Sequence, residues 1–143
     1  MADIRAAVIA RLLADDDVTE RVGDRVSVDY SAQPDAEPRV VVQLISAEHY
    51  HHMTAATGVV IGRIQISAYG ASSVALTALM EAVRQRFDGF RGDMEDVSVS
   101  MCHLEDERTS HIPPVDASQR ATHEIQHDYI MAWSVTVPTF QET

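Results

Sequence analysis

Between residues 58 and 87 the hydrophobic period of the chain changes once, and that switch restricts the fold more than any other stretch. From 63 to 69 the residues alternate, with Arg63, Gln65 and Ser67 on one side and Ile64, Ile66 and Ala68 on the other. A period of two is the mark of a half-buried strand. The alternation stops at Gly70. Ser72 and Ser73 can each offer a side-chain oxygen to a helix N-terminus. Leu76, Leu79, Met80, Val83 and Phe87 then recur at spacings of three and four, which predicts an amphipathic helix of about four turns. Ala75, Ala78 and Ala82 flank that stripe and permit close approach to a sheet. Gly89 and Gly92 supply the stop. A strand feeding a helix that lies over its own sheet is the local unit of an α+β layer.

The rest of the chain builds on this unit. Ile4, Ala7, Val8 and Leu12 form a stripe that predicts a first helix over 3–14, capped by Asp3. Asp15, Asp16 and Asp17 oppose the helix dipole at its C-terminus and suit the start of a short turn over 18–22, which Gly23 ends. A short strand is expected over 25–30, then a polar linker over 31–38 with two prolines. The next strand, 39–48, begins apolar on both faces and reads as central. Residues 47–57 are too polar for core and read as a long hairpin with a projecting tip. Over 97–104, Val97, Val99 and Met101 alternate against Ser98, Ser100 and Cys102. Residues 105–122 are charged, contain Pro113 and Pro114, and read as a long unpatterned connection, which in a small domain tends to be functional. The last strand, 123–137, turns His123, Ile125, His127, Tyr129, Met131, Trp133 and Val135 to one face. The expected order is α-β-β-β-α-β-β. It describes one α+β domain over 1–143: a mainly antiparallel sheet of about five strands, two helices on one face, and long hairpin arms.

Composition narrows the function. Lys and Arg total 11 against 22 Asp and Glu, a formal charge of -11. A surface that grips nucleic acid or an anionic membrane needs clustered cations, so both roles are disfavoured, whereas repelling DNA is compatible. Cys102 stands alone, which excludes an intrachain disulfide and a cysteine-based zinc site. No apolar run reaches transmembrane length. The N-terminus, with Asp3, Arg11 and three successive aspartates, does not read as a secretory signal, so assembly in a cytoplasm is expected.

The sharpest chemical motif is HEIQH, residues 123–127, which matches the zinc-hydrolase pattern H-E-x-x-H. That chemistry needs a helix, where positions four apart lie about 5–6 Å apart at Cβ. In a strand they are separated by roughly 13 Å, at ~3.3 Å per residue. The alternation through Val137 indicates a strand, with His123 and His127 half exposed at the sheet end. His49, His51 and His52 cluster without a Cys or carboxylate at ligand spacing and read as a polar tip or interface. Cys102 and His103 are adjacent and point apart on a strand. Gly62 marks a bulge or close packing rather than a phosphate loop. No catalytic, cofactor-binding or metal-ligating residue is therefore expected.

Three stretches carry a family resemblance: LLADDDVTERVGDRV (12–26), PRVVVQLIS (38–46) and GRIQISAYGASSVALTALMEAVRQRFDGF (62–90). In this order and spacing they resemble the tail-completion, or tail-terminator, proteins of long-tailed bacteriophages. The likeness covers residues 1–90 and is only architectural from Val97 onward. It implies a structural virion protein forming a hexameric ring at the head-proximal end of the tail tube. Such a ring stops tube polymerisation, meets head-neck proteins, and lets DNA pass through its lumen without specific binding. The two excursions are the candidate contact arms: His49, Tyr50, His51, His52 and Met53 in one, and Arg108, His111, Ile112, Pro113, Pro114 and Val115 in the other. Another phage neck or tail-tube protein is the nearest alternative. A zinc hydrolase using His123, Glu124 and His127 is the alternative from a different class.

Overall fold

The computed structural model describes residues 3–29, 38–113 and 122–137. These form three helices and six strands: α1 (Ile4–Leu13), α2 (Asp16–Val22), β1 (Val26–Val28), β2 (Arg39–His51), β3 (Ala56–Gly70), α3 (Ser73–Phe87), β4 (Gly92–Met94), β5 (Val97–Ile112) and β6 (Thr122–Ser134). The strands make one sheet in the order β1-β2-β3-β6-β5-β4. The α+β class and the antiparallel centre agree with the sequence pattern.

Each helix begins where a side chain satisfies its first free amides. Asp3 accepts from the Arg5 amide at 2.9 Å, and Ser72 accepts from the Ala75 amide at 3.2 Å. The segment expected as a short turn is a third helix, α2. Asp15 accepts from the amides of Asp17 at 2.8 Å and Val18 at 3.3 Å. Asp16 and Asp17 then occupy the first turn, where the helix dipole favours carboxylates. Gly23 ends α2 at φ +62°, a backbone region that favours glycine. Among the described residues no helix is long and apolar enough to cross a membrane.

All three helices contribute to one apolar core against one face of the sheet. Register fixes that face. Val42, Ile66 and His127 are level with one another on β2, β3 and β6, as are Leu44, Ile64 and Tyr129 one step along. Trp133 crosses over Gly62, where an added Cβ would lie 2.6 Å from the indole Cη2 and 2.8 Å from the carbonyl oxygen of Ser46. Gly62 is thus a close-packing glycine. Arg11 ties α1 to the end of α3, donating to the Arg86 carbonyl at 2.8 and 3.0 Å while its guanidinium lies 3.6 Å from the Phe90 ring centre.

Besides the additional helix α2, the structure departs from the sequence expectation at five points. The sheet has six strands rather than about five, because β4 is three residues long and too short to show alternation. β1 pairs with β2 in parallel, not antiparallel. The connection between them is longer than a hairpin turn, so the short-connection rule does not bind it. Residues 105–112 are not an unpatterned connection but the outer half of β5, paired with β6 up to Thr122. Bulges near Ser100 and Glu105 shift the register, and each extra residue exchanges inward and outward positions. The bulge near Ser100 also inverts the expected parity beyond it: Cys102, not Met101, enters the core, and burial pushes its thiol up to about 12. Last, His127 is 1% exposed rather than half exposed.

Candidate assembly surface

The two arms proposed from sequence lie at opposite ends of the sheet. Antiparallel pairing carries β2 up to His51, opposite Ala56, and a turn closed by His52 N–H donating to the Ala55 carbonyl at 3.0 Å returns the chain into β3. Met53 crowns this turn and is 99% exposed. At the other end of β3, Gly70 pairs with His123 of β6, and His123 in turn with His111 of β5. His49, Tyr50 and His51 are therefore strand residues of the first arm, and His52 and Met53 its tip. Arg108, His111 and Ile112 are strand residues of the second arm, with Pro113 exposed just beyond. Pro114 and Val115 lie outside the described residues.

A groove of about 710 Å³ runs along the root of the first arm. Tyr50, Ala56, Val59 and Val135 give it an apolar floor, and His49, His51 and Asp96 rim it. Tyr50 and Val59 are among the exposed large side chains, so this end of the molecule presents apolar surface.

The second arm is held by buried polar groups that the sequence pattern did not reveal. On the helix-bearing face, His127 Nε2 lies 2.5 Å from Glu107 Oε2, and Nδ1 lies 3.1 Å from the Tyr129 hydroxyl. A carboxylate can only accept, so Nε2–H donates to Glu107 and Nδ1 accepts from Tyr129. Burial lowers the His127 pKa, and the hydrogen bond to Glu107 opposes that shift in part. Burial also raises the Tyr129 pKa, which keeps the phenol a donor. Farther out, the rings of His111 and His123 meet with centres 5.0 Å apart.

The opposite face carries an ionic cluster. Arg63 donates to Asp128 and to Glu105, both at 3.0 Å, and Arg108 reaches Asp128 at 3.4 Å. Asp128 is 5% exposed, and its second oxygen has no partner among the described residues. A buried carboxylate with two guanidiniums is recognisable only once the register is known, because Asp128 of β6 is reached by Arg63 from β3 on one side and by Arg108 from β5 on the other. Each arginine on this part of the face is matched by a carboxylate.

The residues of HEIQH lie in β6, not in a helix. His123 and His127 are separated along an extended strand, and Glu124 points to the other face, where its Oε1 accepts from the Ser110 hydroxyl at 2.8 Å. This geometry defeats the zinc-hydrolase arrangement, and no group of three potential metal ligands occurs among the described residues.

Residues 6–123 match the family model of tail completion protein gp17. No curated protein sequence matches the chain significantly. Among solved structures, a chain from the virion of a native gene transfer agent particle superposes with a TM-score of 0.68 at 17% identity. The match covers 92% of this chain and 95% of that one. At this identity the likeness establishes a shared fold.

Proposed function

Because the chain belongs to the tail completion protein gp17 family, a family of structural components of phage-like virions, we propose that it is a tail terminator. In this reading it acts as one unit over residues 1–143. Copies close into a ring, hexameric by the family resemblance, at the head-proximal end of the tail tube. There the ring ends tube polymerisation and offers its other side to head-neck proteins.

The observation that carries the proposal is the family match over most of the chain, joined to the placement of the arms. A closed ring needs two different surfaces on each copy that fit each other. The His49–His51 arm ends one outer strand system and the Arg108–Ile112 arm the other, at opposite ends of the sheet. A brick with unlike contacts on its two sides suits head-to-tail closure. The net charge of -11 and the carboxylate-matched Arg63 and Arg108 suit a lumen through which DNA passes without adhering.

Particles assembled without the protein provide the test. Tails of uncontrolled length that fail to join heads are expected. Tails of normal length joined to full heads would overturn the proposal.

A further inference from the structure

Among the described residues, two stretches of sheet edge have no strand beside them. β1 pairs only with Val40–Val42, which leaves β2 open from Gln43 to His51. β4 pairs only with Val97–Val99. Beyond it the Cys102 carbonyl and the Leu104 amide are taken up by Gly89 and Asp88, so β5 is open from Glu105 to Ile112. An open edge is a row of unsatisfied amides and carbonyls that will pair with another strand.

The strand directions make these edges compatible. β2, β3, β6 and β5 alternate in direction, so β5 runs opposite to β2. A second copy related by rotation about an axis near the strand direction therefore presents its β2 antiparallel to β5 of the first. We infer that β5 of one copy pairs with β2 of the next, with Glu107 opposite His49 and Arg108 opposite Glu48. This rests on the ring reading above and specifies its contact.

Pleat, charge and length select that register. Glu107 and His49 both lie on the helix-bearing face of their own copies, level with Ile66 and Val60. Arg108 and Glu48 lie on the other face, level with Ser67 and Ile61. Directly opposite residues in a continuous sheet share a face, so the parity holds. The same register sets Thr109 opposite Ala47 and Ser110 opposite Ser46, and it overlaps nearly the whole of both open edges. Sliding by two residues in either direction keeps the parity but separates Arg108 from Glu48.

The register also implies a ring geometry. Neighbouring copies are displaced along the strands by the interval from Val60 to Ile66 of β3, about 20 Å at ~3.3 Å per residue. Four strands at about 4.8 Å span about 19 Å perpendicular to the strand direction. The strands therefore lean about 45° from the ring axis, near the tilt of about 35–45° that closed barrels adopt.

The test is disulfide cross-linking of the full chain in a Cys102→Ala background, read together with native mass spectrometry. Thr109→Cys combined with Ala47→Cys places two thiols opposite each other. Oxidation is expected to give a ladder of covalent multimers that ends at the closed ring. Thr109→Cys combined with His51→Cys, offset along the strand, is expected to give none. Arg108→Glu should reduce the ring population by about tenfold, and adding Glu48→Arg should restore it. Rings that form while the facing pair never cross-links would overturn the edge pairing and leave the ring reading standing. Absence of any oligomer together with no cross-link from either pair would overturn both.

Discussion

Trp133 of β6 reaches across to Gly62 of β3, and the space a side chain at position 62 would need is filled by the indole and by the Ser46 carbonyl. The backbone oxygen cannot rotate away as a side chain could. Gly62→Val is expected to destabilise the fold by about 1–3 kcal/mol. Urea denaturation followed by fluorescence of the single tryptophan measures this directly, and an unchanged midpoint would contradict the packing described.

Leu79 and Val83 are fully buried on the sheet-facing side of α3. Leu79→Asp places an unpaired carboxylate among aliphatic side chains and is expected to cost more than about 4 kcal/mol, leaving no cooperative thermal transition. Leu79→Ala, which only opens a cavity, is expected to retain a transition with a loss of about 2–5 kcal/mol.

His127 makes stability depend on pH. Its folded-state pKa lies below the unfolded value because burial disfavours the imidazolium. Its contribution is therefore complete above the unfolded pKa of about 6.5 and falls as pH drops below it, where only the unfolded chain takes up the proton. Stability measured from pH 8 to pH 5 is expected to decline in the wild type and to decline less steeply in His127→Gln. Equal slopes in the two proteins would exclude the histidine as the cause.

Asp15 accepts two amide hydrogen bonds at the start of α2. Asp15→Ala is expected to lose about 1 kcal/mol. Asp24→Ala, an acid removed from the same region without a capping bond, provides the comparison and should change little. Chemical denaturation separates the two.

The elements with a long, unbroken period were legible from sequence. α1 and α3 carry their buried residues at the expected positions, and β6 turns Ile125, Tyr129, Met131 and Trp133 inward as its alternation implies. The hairpin joining β2 and β3 was legible because a polar stretch divides two strands. The outer half of β5 was not. Between 105 and 111 both faces are polar, so alternation carries no hydrophobic signal, and the pairing with β6 is what makes it a strand. The bulge near Ser100 hid the inward turn of Cys102, since one inserted residue reverses a period of two. The His127–Glu107 bond and the Asp128 cluster join residues about twenty or more positions apart. Neither histidine nor aspartate in a strand announces such a partner without the register.

The two three-residue strands at the flanks, β1 and β4, lie at opposite corners of the sheet. Each shields the part of an edge that would otherwise face a neighbour set flush alongside. Two molecules meeting side by side without an offset would find each open row facing a blocked one. Flat, unshifted stacking, the route by which exposed edges drift into fibrils, is thereby denied to the free protein before it reaches its place in a particle.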